Sequence, residues 1–117
     1  MNLKTRQATI DFILDQLISV QNVRTRKMFG EYALYCNDKV VGLVCRDTLF
    51  IKITNQGKKF ADGHYKEGHA YKGAKASMLI NGDQIEDCEW LSELVRITAD
   101  NLKASKTKNK TNKSINT

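Results

Sequence analysis

From about Lys4 to Val20 the apolar residues Ile10, Ile13, Leu14, Leu17 and Ile18 recur at spacings of three and four, the repeat that turns one helical face toward a core. A first helix is expected there, ending at Gln21-Asn22. Val23 to Lys27 then reads as a lead-in to the first strand. From Met28 the period changes. Met28–Cys36, Val40–Cys45 and Leu49–Ile53 are short apolar-rich runs separated by Asn37-Asp38 and Arg46-Asp47, polar breaks with the chemistry of tight turns. Three strands joined by connections this short must be antiparallel neighbours.

Asn55 to Lys75 is rich in Gly, Lys and His, with Gly57, Gly63, Gly68 and Gly73 spaced five or six apart. A short helix over Asn55–Ala61 is expected, followed by a mobile connection. Ser77–Ile80 has strand character, Asn81-Gly82 carries a hairpin-turn signal, and Gln84–Glu86 reads as a shorter partner strand. A last helix is expected from Cys88, with Leu91, Leu94, Val95, Thr98 and Leu102 at helical spacing. Asp87, Glu89 and Glu93 cluster at its start and Lys103 lies at its end, which suits the helix dipole. The order of elements is that of an α/β fold of the α+β kind: helix, three-stranded antiparallel meander, short helix, two strands, closing helix.

The second and third strands carry apolar residues on both faces, with Val40, Val41, Leu43 and Val44 in one and Leu49, Phe50, Ile51 and Ile53 in the other. Such strands usually have both faces covered. Helices account for one face, so more chain or a second subunit is expected on the other, and a homodimer follows as the expectation. Along the first run, alternation sets Met28, Gly30, Tyr32 and Leu34 on one face and Phe29, Glu31, Ala33 and Tyr35 on the other. Glu31, Tyr32 and Tyr35 are therefore candidates for contact with a partner. So are Arg24, Arg26 and Lys27, three cations within four residues just ahead of the sheet, where an acidic partner or a phosphate could be held.

At 117 residues the chain is the length of one domain plus a tail, able to bury a core without metal or disulfide staples. The net charge of +6 suggests nucleic acid until it is located. Residues 103–117 hold Lys103, Lys106, Lys108, Lys110 and Lys113 and no acid, leaving 14 basic against 13 acidic residues elsewhere. A tail too polar for a core is expected to be disordered, and its four leading lysines are candidates for weak, salt-sensitive contact with any polyanion rather than base readout. The domain is placed at 1–102. Cys36, Cys45 and Cys88 form an odd set without a Cys-x-x-Cys pair, which points to free thiols, a reducing cytoplasm and no structural zinc. No run approaches the roughly twenty apolar residues of a membrane span, and no signal peptide follows Lys4 and Arg6.

Catalytic chemistry finds no constellation. His64 and His69 sit five apart in the glycine-rich connection, near Tyr65 and Tyr71, without the helical pairing or companion ligands of a metal site. Ser77, Cys88 and either His have no nucleophile elbow to assemble them, and Gly57-Lys58-Lys59 lacks the rest of a phosphate loop. Neither a cofactor nor a metal is expected, and the protein reads as no enzyme.

The Met28-Phe29-Gly30-Glu31-Tyr32-Ala33-Leu34-Tyr35 segment, with the Val40–Val44 and Leu49–Ile53 runs behind it, resembles the N-terminal domain of the TfoX/Sxy family of bacterial competence regulators. The likeness covers roughly residues 5 to 103, supported more loosely by the helix near Trp90-Leu91. It implies the same helix, meander, helix, two strands and helix, and a role in regulating DNA transformation competence through protein contacts. Full-length regulators of this family carry a second, helical domain. Here only the lysine-rich tail follows Leu102, so the chain is read as a short, stand-alone member.

Overall fold

The computed structural model describes residues 5–28 and 30–102. The first helix, α1 (Gln7–Gln16), is shorter than expected, because the chain tightens into turns from Leu17 to Val20 while Leu17 and Val20 stay buried. The following stretch is no lead-in. Val23–Met28 forms a strand, β1, so the meander has four members: β1, β2 (Glu31–Cys36), β3 (Lys39–Cys45) and β4 (Thr48–Ile51). Alternating cations hide β1 from an apolar-pattern search. An edge strand has only one neighbour to satisfy, and polar residues there keep it from pairing indiscriminately.

Both expected turns form. Asn37 and Asp38 have φ of 55° and 65°, and Arg46 and Asp47 have φ of 52° and 61°, the paired left-handed conformations that match the twist of antiparallel strands. Register across β2 and β3 shifts between Leu34 and Tyr35: Leu34 faces Gly42 and Tyr35 faces Val40. Val41 is the extra residue of a bulge. Gly42 is where backbones crowd, since a Cβ there would lie 2.2 Å from the Phe50 carbonyl oxygen. Gly30 instead serves the β1–β2 turn, with φ of 82°.

Helix α2 (Asn55–Ala61) forms where expected, its first turn capped by the Thr54 hydroxyl, which accepts from Gly57 N at 2.9 Å. The connection behind it contains a strand, β5 (Lys66–Gly68), too short and polar to show in the pattern. It pairs with β6 (Ser77–Ile80), giving a six-stranded sheet in the order β1-β2-β3-β4-β6-β5 with every neighbouring pair antiparallel. The expected Gln84–Glu86 strand is a helix, α3 (Gly82–Glu86). Asn81 accepts from Gln84 N and Gln84 Oε1 accepts from Asn81 N, a reciprocal cap that converts a hairpin signal into a helix start. The last helix, α4 (Cys88–Asp100), starts where expected, its cap the Asp87 carboxylate accepting from Trp90 N.

Ile10, Ile13 and Leu17 from the α1 region, Leu91, Leu94 and Val95 from α4, and Leu34, Val44, Leu49, Ile51, Met78 and Ile80 from the sheet form one buried cluster, joined by Ala61 and Ile85 from α2 and α3. Each such side chain contributes about 1.5–3 kcal/mol by leaving water. A second, smaller cluster of Cys45, Phe50 and Ala70, with Leu43 and Leu79 against it, contains no helical residue. Among the described residues, the four helices thus cover one face of the sheet, and the other carries only the 69–76 segment. Residues 103–117, read as a disordered tail from sequence, lie outside the described residues.

Candidate interaction surface

The register sets out the helix-free face. Arg26, Ala33, Leu43, Phe50 and Leu79 stand in one row across five strands, flanked by Met28, Glu31 and Cys45 on one side and by Arg24 and Tyr35 on the other. The 69–76 segment crosses the middle of this face as a strap, held to it by buried Ala70 and closed on itself by His69 Nδ1, 2.8 Å from the Ala74 carbonyl oxygen. A cleft of about 510 Å³ opens on one side of it, lined by Met28, Leu43, Cys45, Ala70 and Tyr71 with Glu31, Tyr32 and Arg46 at its margin. Met28 and Tyr71 remain 38% and 56% exposed there. A second cleft, of about 570 Å³, lies against Lys52, Gly73, Lys75 and Ser77. Partial burial, aided by the charge of Lys75, pushes the Lys52 ammonium below its ordinary range.

The six candidate residues in and beside the first strands separate. Arg24 and Arg26 project together onto the helix-free face, and the Arg24 guanidinium lies 4.2 Å from the centre of the Tyr35 ring. Arg24 also meets Asp38 at 3.4 Å in an exposed pair, worth little by itself. Lys27 stands opposite Tyr32 on the other face, so the three cations do not form one patch. Tyr32 packs against the helical core, its hydroxyl donating to Gln7 Oε1 at 3.2 Å. Glu31 is engaged within the chain: its Oε1 accepts from the Thr5 hydroxyl at 2.6 Å and from Arg46 N at 3.1 Å. Phe29, Lys103, Lys106, Lys108 and Lys110 lie outside the described residues.

Asp47, a turn residue with no marked role in the sequence, pins the start of α1. Its Oδ1 accepts from Arg6 N at 2.8 Å and from the Thr9 hydroxyl at 2.7 Å, and its Oδ2 meets Arg6 Nε at 3.0 Å. Arg6, the residue ahead of α1, offers no side-chain cap of its own. The bonds from Arg6 N and the Thr9 hydroxyl hold the Asp47 carboxyl below the usual carboxylate range. Only the presence of Asn or Asp at a left-handed turn position marks such a residue in sequence.

The sheet, its strap and helices α2 to α4 all fall inside one stretch of family likeness. The TfoX N-terminal domain family matches residues 15–102. The chain belongs to this family. It is also 39% identical over 95 residues to an uncharacterized 12.7 kDa protein in the trpE 5' region of Spirochaeta aurantia, a match spanning 81% of each chain. For a TfoX N-terminal domain, the expected α+β class holds, with β1 and β5 added to the sheet and α3 replacing the last strand.

Among the described residues of this TfoX-type domain, no three His, Cys, Asp or Glu side chains gather as metal ligands would, and no helix is long and apolar enough to cross a membrane. His64 offers its backbone carbonyl to Gln84 Nε2. Cys36 and Cys45 are buried and Cys88 is exposed, all three as free thiols. Burial pushes the Cys36 and Cys45 thiols up, reinforced by Asp100 and Glu31 respectively.

Proposed function

We infer that this protein is a non-enzymatic regulatory module that acts by binding protein, in the manner of TfoX-type regulators of DNA transformation competence, and that it works in the cytoplasm as a homodimer. The carrying observation is the half-covered sheet face, where Met28 and Tyr71 stay exposed around an apolar cleft. Apolar area left open beside a strap is what a second surface would bury. In the dimer the two clefts meet, and Arg24 with Tyr35 forms a polar rim. Light scattering tests this directly. A native mass of twice the 13.3 kDa chain, reduced to one chain by Tyr71→Ser with Met28→Ser, is the expected result; a wild-type monomer at all concentrations defeats the dimer.

A second reading, a nucleic-acid accessory protein, is favoured by the lysine-rich 103–117 segment together with Arg24, Arg26 and Lys27. Lysines spaced along a polar segment bind phosphate backbones with a steep salt dependence. A truncation after Leu102 that leaves duplex DNA affinity unchanged removes the role of the tail in this reading.

A further inference from the structure

Among the described residues, strand β1 is one end of the sheet and its only sheet neighbour is β2. Asn37 N donates to Asn22 O across that pair. Alternate residues of an antiparallel ladder share one hydrogen-bonding direction. Arg24, Arg26 and Met28 therefore bond inward to β2, and the backbone groups of Val23, Thr25 and Lys27 point away from the sheet. The strand is six residues long, contains no proline, and is largely exposed. At the opposite end, β5 has only three residues, one of them acidic Glu67.

We propose that β1 is a docking edge for an extended acidic segment of another protein, which adds as a seventh, antiparallel strand with acids at alternate positions. Charge selects the occupant. On the helix-free face Arg24 and Arg26 are two residues apart, so a pairing strand with an acid-x-acid pattern sets a carboxylate beside each guanidinium. A second copy of β1 does not fit. In any antiparallel self-pairing that keeps the outward bonds in phase and overlaps most of the strand, arginine falls opposite arginine, and like charges directly opposed are destabilising. The chain's own 103–117 segment, with five lysines and no acid, is excluded on the same ground. Main-chain bonds supply attachment and alternate side chains supply selection, the logic of strand addition generally.

Strand addition presupposes the protein-binding function but not the dimer, since the edge and the apolar cleft are different surfaces. The probe is an acetylated, amidated peptide, Glu-Val-Glu-Val-Glu-Val, of the length of β1, titrated into the full chain and followed by backbone amide NMR at low and moderate salt. Saturable shifts centred on Val23, Thr25 and Lys27, with those amides gaining protection from exchange, are expected. The same peptide methylated on alternate backbone nitrogens keeps every charge and loses its donors, and it binds at least about tenfold more weakly if main-chain bonds carry the complex. Thr25→Pro, which removes one outward donor and no bond to β2, does the same from the protein side. Arg24→Glu with Arg26→Glu abolishes binding of the acidic peptide and admits its Lys-Val counterpart. The proposal is overturned by an absence of saturable binding, by equal binding of the methylated peptide, or by shifts scattered over the surface that vanish with salt. A monomer that still takes the peptide on β1 leaves strand addition standing and removes the dimer; a dimer indifferent to the peptide does the reverse.

Discussion

Asp47 sits at the tip of the β3–β4 hairpin yet holds the entry to α1, so its replacement tests whether a contact between chain segments far apart in sequence carries measurable stability. Two of its bonds, from Arg6 N at 2.8 Å and the Thr9 hydroxyl at 2.7 Å, are short and charge-assisted. Hydrogen bonds to charged groups contribute about 1.5–3 kcal/mol when sheltered. The Asp47 side chain is 32% exposed, which places each at the low end or beneath it, and the exposed ion pair to Arg6 adds little. Asp47→Asn keeps an acceptor and the turn and loses the charge, so about 1 kcal/mol is expected at neutral pH. Asp47→Gly removes the side chain without straining the left-handed backbone, for about 2 kcal/mol, and Asp47→Ala adds about 1 kcal/mol because φ is 61° there.

The pH dependence has a definite sign. The folded carboxyl lies below its unfolded value of about 3.9, so its contribution is fully present above that pH and is lost as pH falls through the folded value. Urea melts of wild type and Asp47→Asn must therefore differ at pH 7 and converge in acid. At this chain length about 1 kcal/mol corresponds to about 4 °C in Tm. An Asp47→Asn deficit that stays constant from pH 7 to acid, or an Asp47→Gly variant as unstable as Asp47→Ala, refutes the assignment of the clamp to a charged acceptor on a left-handed turn.

Glycine substitutions separate two backbones. Gly42→Ala drives a Cβ to 2.2 Å from the Phe50 carbonyl oxygen, and because backbone must move, a loss exceeding about 3 kcal/mol is expected in chemical denaturation; a loss under about 1 kcal/mol means the bulge yields freely. Gly82→Ala meets nothing within 4 Å and, in α3, gains about 0.5–1 kcal/mol. Thiol titration with Ellman's reagent at pH 8 should find one fast group, Cys88. Cys36 and Cys45, 1% and 4% exposed with raised pKa, react only on denaturation; two fast thiols in the native protein contradict the burial of one of them.

Most of the local structure was legible in the chain. The spacing of Ile10, Ile13 and Leu17, the Asn37-Asp38 and Arg46-Asp47 turns, α2 and the start of α4 follow from a face that must be buried and from residues that tolerate positive φ. The family likeness rested on Met28 to Tyr35, whose described members fall in β1, its turn and β2. Tertiary structure decided the rest. Val23–Met28 is a strand only because β2 supplies its bonds, since its own residues alternate cations with little apolar signal. Gln84 joins a helix for a local reason instead, its side chain reaching back to Asn81 N three residues earlier, an option that the hairpin reading of Asn81-Gly82 passes over. The pairing of Arg24 with Tyr35, the removal of Lys27 to the other face and the engagement of Glu31 by Thr5 depend on register, which one residue of slip would reverse. Sequence specifies which residues carry charge and apolar area; only the sheet, through its pleat and its partners, decides which of them share a surface.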